Sequence, residues 1–266
     1  MIKMFLRNVC KKRIACLVVA ATMIMGLGGC GKHNKEIKPA NGVTIIGDIS
    51  ENTVKLSPNG IVTEISCQDY TDAGTDLKGL KDYIDKQIED YNDSKGSTKI
   101  TLVEYIEDDK SAKVALQYTD FEAYADFNKI DTELIPYDPQ RVVDMVAEEM
   151  KAEVKQPVID TANVNLEELA EAGYDIEDLE NGVLGGEVSE ASATDAATLT
   201  DAIGNNIVKA EEIDPTNCMM LITSENINYS INSGRVLYYN SKAVYVNENT
   251  VLSTGQGKSV IVFTFN

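Results

Sequence analysis

The sequence predicts an α+β fold, with antiparallel sheet hairpins, one or more covering helices, and a β-rich C-terminal part. Three observations carry that prediction. Strand-like runs flank two short polar turns, Ser57-Pro58-Asn59-Gly60 and Glu107-Asp108-Asp109-Lys110. Between those hairpins, Leu77, Leu80, Ile84, Ile88 and Tyr91 recur at three- and four-residue steps, the spacing of one helix face. From Met219 to Asn266, short runs rich in β-branched residues and Tyr alternate with Asn, Ser and Gly turns. Hairpins beside helices, rather than repeated βα units, give an antiparallel sheet covered on one face.

The first element is not part of that fold. Lys3, Arg7, Lys11, Lys12 and Arg13 give the first thirteen residues five positive charges and no negative one. The apolar run from Ile14 to Leu27 is fourteen residues, about 21 Å as a helix at ~1.5 Å per residue. That falls short of the ~30 Å hydrocarbon core, so a signal-peptide core fits better than a spanning helix. It ends in Leu27-Gly28-Gly29-Cys30, which resembles the lipobox of bacterial lipoproteins. The resemblance implies recognition of Leu27, Gly28 and Gly29 by a dedicated peptidase that cuts before Cys30. It also implies a diacylglyceryl thioether on Cys30, the only cofactor-like group expected here. Two acyl chains, at ~0.8 kcal/mol per buried CH₂, hold a protein durably on a membrane, where one chain holds it marginally. The expected location is therefore the extracytoplasmic face of the cell membrane.

Residues 30–42 then read as a lipidated, flexible tether, mostly polar, with one Ile (Ile37) and one Pro (Pro39). Residues 43–155 read as the α+β domain. Val43 to Ile46 is a short apolar strand, and Thr53 to Leu56 and Ile61 to Ser66 form a hairpin on the Pro-Asn-Gly turn. The helix spans Asp76 to Tyr91, with Thr75 as cap and Gly96 beyond its end. Ile100 to Ile106 and Ala112 to Tyr118 make the second hairpin; Ala112, Val114, Leu116 and Tyr118 alternate as one buried face. Thr119-Asp120-Phe121-Glu122 is a capping box before a short helix whose Phe121, Tyr124 and Phe127 are core. Asp138-Pro139 opens a third helix with the stripe Val142, Met145, Val146, Met150. Residues 156–208 carry twelve acidic residues and no Lys or Arg. They read as a short helix from Asn165 to Gly173 and, from Gly185 to Gly204, a linker. Residues 209–266 form the β-rich C-terminal unit.

Composition excludes more functions than it suggests. Removing the signal takes the formal charge from −19 to −24, which argues against nucleic acid as a partner and against docking of the body on anionic lipid. His33, in the tether, is the one histidine, so the folded region has no histidine for a catalytic triad or a metal site. Asp90 to Gly96 resembles the start of an EF-hand, but its Gly stands one place late and Thr101 occupies the position of the bidentate Glu. No metal site is expected. Cys67 and Cys218 remain beyond Cys30; a disulfide and two buried thiols both fit their apolar settings. The expected function is a non-enzymatic module that binds a protein, peptide or glycan of the cell envelope. The alternatives are the substrate-binding lipoprotein of an importer and an envelope enzyme that works with carboxylates alone.

Overall fold

The computed structural model describes residues 36–37, 44–69, 77, 79–108, 110–154, 193 and 196–266. Leu27 to Cys30, His33, Thr75 and the 165–173 helix lie outside those residues. The chain divides into two compact units, the larger drawn from Met1–Tyr137, Asp201–Asn205 and Thr216–Asn266, the smaller from Asp138–Thr200 and Asn206–Pro215.

The larger unit is α+β, as its sequence predicts. Its first strands are β1 (Glu36–Ile37), β2 (Thr53–Leu56), β3 (Val62–Asp69), β4 (Ile100–Glu107), β5 (Ser111–Tyr118) and β6 (Thr132–Pro136). Two helices separate some of them, α1 (Leu80–Lys95) and α2 (Phe121–Asn128). After β7 (Thr198–Asp201) and β8 (Ile207–Lys209) come β9 (Met219–Thr223), β10 (Asn226–Ile231), β11 (Gly234–Tyr239), β12 (Ala243–Asn247), β13 (Thr250–Thr254) and β14 (Ser259–Phe265).

One sheet has the order β1-β4-β5-β3-β2-β10-β13-β12. Its neighbours are antiparallel except β2 and β10, which run parallel with Val54 opposite Tyr229. That pairing joins the N-terminal hairpins to the C-terminal part, whose β10, β13 and β12 complete the first sheet, a point the sequence leaves open. In the second sheet β6, β9, β14 and β11 follow in that order. Leu221, Val236, Ile261 and Phe263 of this sheet share one core with Val54, Leu56, Tyr229 and Val251 of the first. Towards β3, β5 and β4 the same core continues beneath α1 and α2 through Ile84, Ile88, Tyr118 and Tyr124.

Several elements depart from expectation for local reasons. The Asp76 helix starts at Leu80, after Gly79 in the left-handed region, and ends at Gly96, also left-handed, one turn later than predicted. Asp120, not Thr119, caps α2: its Oδ1 accepts from the Ala123 amide at 2.8 Å. Phe121, Tyr124 and Phe127 pack in the core as expected, Tyr124 fully buried. The predicted strand at Val43 to Ile46 is a bend in its described residues 44–46, with Ile46 buried and the amides of Ile45 and Ile46 bonded to Glu104. Glu36 and Ile37, read as tether, pair with Ile106 and Tyr105.

The smaller unit contains α3 (Pro139–Val154), with Val142, Val143 and Met145 buried. The predicted linker is part β structure: β7 and β8 pair antiparallel, Leu199 opposite Val208. In Asp201–Asn205, which belong to the larger unit, Asp201 Oδ1 accepts from the Ile203 and Gly204 amides.

Candidate functional site

The site lies on the inner face of β3. Val62, Glu64, Ser66 and Gln68 share that face by the two-residue period of a strand, while Thr63 and Ile65 are buried on the other. Glu64 stands opposite Leu116 of β5 and Val54 of β2. A carboxylate is thus set within an apolar layer, and Glu64 is only 7% exposed.

A small cleft opens beside it, with a cavity of about 60 Å³, room for a few water molecules. Glu64, Ser66 and Gln68 form one wall, and Ala112, Val114 and Leu116 of β5 form the floor. Leu80, Ile84 and Gln87 of α1 face them, and Phe127 and Asn128 of α2 close the end. Among the described residues Glu64 is the one carboxylate in this lining.

The donors to Glu64 are all neutral. Oε2 accepts from the Tyr118 hydroxyl at 2.6 Å and from Asn128 Nδ2 at 3.1 Å. Oε1 accepts from Ser66 Oγ at 3.4 Å, a long contact. Asn128 is itself held by the Tyr124 carbonyl. Burial, then the Glu64 charge and hydrogen bond, push the Tyr118 phenol well above its ordinary value, so it remains a donor. Two exposed contacts link the helices beside the cleft: Asp126 accepts from Tyr91 and pairs with Lys95, each at 2.8 Å.

A second buried carboxylate, Glu104 of β4, lies on the opposite face of the sheet and differs in its partners. Thr44 Oγ1 donates to Oε1 at 2.5 Å, and the Ile45 and Ile46 amides donate to Oε2 at 2.6 and 2.8 Å. Burial would raise its pKa, but the hydrogen bonds from Thr44, Ile46 and Ile45, with Lys55 nearby, hold it below the ordinary value. Lys55 Nζ donates to the Ile45 carbonyl and Lys113 Nζ to the Ile49 carbonyl. Five side-chain and backbone donors thereby fasten residues 44–49 as a strap over Ile65 and Ala115. This site is saturated and structural.

Cys67 and Cys218 are not bridged by a disulfide. Cys67, half-buried on β3 of the first sheet, donates to the Ile49 carbonyl at 3.6 Å; buried Cys218 precedes β9 of the second sheet and donates to the Thr216 carbonyl at 3.5 Å. Among the described residues no group of three or more His, Cys, Asp or Glu is arranged to hold a metal ion, and no helix is long and apolar enough to cross a membrane.

Sequence reasoning missed Glu64, Tyr118 and Asn128 as a group. The available signal was the run Glu64, Ser66, Gln68 at two-residue spacing on a strand whose other face carries Thr63, Ile65 and Cys67. Comparison of the chain with protein-family models, with curated proteins and with solved structures finds no match.

Proposed function

We propose that the chain is a lipid-anchored protein of the extracytoplasmic face of the cell membrane, a non-enzymatic binding module whose ligand seat is the cleft beneath α1. Leu27-Gly28-Gly29-Cys30, following a basic segment and an apolar run, is the observation that carries the location. The binding role is supported by a buried carboxylate in the wall of a small, mostly apolar cleft. A two-carboxylate mechanism finds no second carboxylate among the described residues of that lining. Antiparallel hairpins give no support to the two-lobed importer reading.

Anchoring would also set distance. Because β1 begins at Glu36, six chain steps separate it from Cys30, a span of at most ~20 Å at ~3.4 Å per residue. The acidic body would then stand close to the headgroups without lying on them.

The test is fractionation of cells expressing the full chain. Wild type should sediment with membranes, incorporate labelled palmitate and begin at Cys30. Cys30→Ala should incorporate no label, and either keep its leader or leave the membrane fraction. A Cys30→Ala protein that is processed and still lipid-bound overturns the proposal.

A further inference from the structure

We infer that the cleft takes the primary ammonium head of a short alkyl chain, with Glu64 as its counter-charge. The inference rests on the cleft being a ligand seat and names the chemistry of what it holds. A buried carboxylate without a cationic partner is costly, because desolvation is not repaid by an opposite charge. Glu64 is in that position: the ion pairs among the described residues are Lys81–Asp85, Lys86–Asp90, Lys95–Asp126 and Lys99–Asp120, and none includes it.

The two oxygens are not equally satisfied. Oε2 has both good donors, Tyr118 and Asn128, whereas Oε1 has only the 3.4 Å contact from Ser66. An ionised carboxylate offers about four acceptor sites, so Oε1 retains capacity for a further donor. An ammonium group brings three N–H donors on a compact centre. Gln68 and Gln87, also in the lining, carry amide oxygens able to accept from the N–H groups that Glu64 leaves over.

The rest of the cleft suits the stem. Leu80, Ile84, Val114 and Phe127 offer apolar surface to methylenes, while the small volume suits a head and a few carbons better than a ring system. A carboxylate or phosphate would meet Glu64 with like charge and is rejected. A lysine side chain of a peptide and a free alkylamine share the required chemistry.

The experiment is titration of the full-length protein in detergent with n-butylammonium, n-butanol, butyrate and an acetylated Lys-containing tripeptide, read by calorimetry and by methyl shifts of Ile84 and Val114. n-Butylammonium should bind with shifts at both methyls, at least tenfold more tightly than n-butanol, and butyrate should not bind. Glu64→Gln, which keeps the side chain's shape, should weaken n-butylammonium at least tenfold while n-butanol is unchanged. Tighter binding of the tripeptide assigns a peptide lysine as the source; equal or weaker binding assigns a free amine. If n-butanol shifts the two methyls but n-butylammonium binds no better, the cleft stands as a seat and the ammonium chemistry is overturned. If no probe shifts them, both the ammonium chemistry and the cleft reading fall. Circular dichroism and a cooperative melt establish that Glu64→Gln is folded; should it not be, Ile84→Trp, which fills the cleft from α1, must abolish the shift at Val114 or the proposal fails.

Discussion

Replacing Glu104 tests whether one saturated carboxylate holds the strap over the outer face of the first sheet. Glu104→Leu keeps the volume roughly but leaves three donors, Thr44 Oγ1 and the amides of Ile45 and Ile46, without their acceptor. The Ile46 bond is buried, and an unsatisfied buried donor costs about 1–3 kcal/mol. The other two are part-buried and recover water, so the total should be about 3 kcal/mol, or ~6–12 °C at ~2–4 °C per kcal/mol for a domain of this size. Glu104→Gln retains one acceptor oxygen for the two amides, and its NH₂ can donate to Thr44 Oγ1. It should cost about 1 kcal/mol, the difference between a charge-assisted and a neutral bond. Hydrogen exchange locates the effect: the Ile45 and Ile46 amides should lose protection in Glu104→Leu before the β3 and β5 amides do. The pH dependence has a defined sign. Because the folded-state pKa of Glu104 lies below its ordinary value, its contribution is complete above the ordinary carboxylate range and is lost as pH falls through the folded value. Protection of Ile46 should therefore fall in acid in wild type and change less in Glu104→Gln. An unchanged melt of Glu104→Leu, with Ile46 still protected, would refute the reasoning.

Two further substitutions probe the framework and the cleft. Gly234 follows the Asn232-Ser233 turn where the chain leaves β10 of one sheet for β11 of the other, and a Cβ there would meet the Thr264 carbonyl at 2.4 Å and Ile231 Cγ2 at 2.5 Å. Gly234→Ala should cost about 1–3 kcal/mol as an overpacked site, measured by urea denaturation; a midpoint equal to wild type removes the crossover from the account. Tyr118→Phe removes the shortest donor to Glu64 while keeping the ring contact with Tyr124. It should cost about 1–3 kcal/mol, because a charged acceptor loses its partner. An unchanged urea midpoint would show that the phenol does not hold Glu64.

What was legible in the sequence was local. The face of α1 could be read because Leu80, Ile84 and Ile88 repeat at helical spacing and Gly96 adopts the left-handed turn that ends the helix. The alternation of β5 and the turn at Gly60, with its positive φ, were read in the same way. The bend at Ile45 and Ile46 was not, because an apolar pair fits a strand until Glu104, nearly sixty residues away, supplies an acceptor for its amides. The parallel pairing of β2 with β10 joins residues whose separation leaves no periodic trace. Thr250-Val251-Leu252-Ser253-Thr254 is short and half polar and does not read as a strand by itself; only pairing on both sides makes it β13.

Glu64 was hidden for a further reason. In a chain whose acidic residues outnumber its basic ones by 43 to 24, a glutamate reads as solvent-facing charge, and nothing nearby marks it as inward. Its meaning comes from comparison with Glu104. Both are carboxylates on the same sheet, buried to similar degrees at 7% and 3% exposure. Glu104 has a hydroxyl and two amides at 2.5–2.8 Å and Lys55 nearby, so every feature around it serves to keep it where it is. Glu64 has neutral donors, one of them long, and a mostly apolar cleft at its side. Burial alone would class the two together. The donor set separates them: a saturated carboxylate organises its own chain, whereas an unpaired one beside an open cavity is arranged for something that arrives from outside.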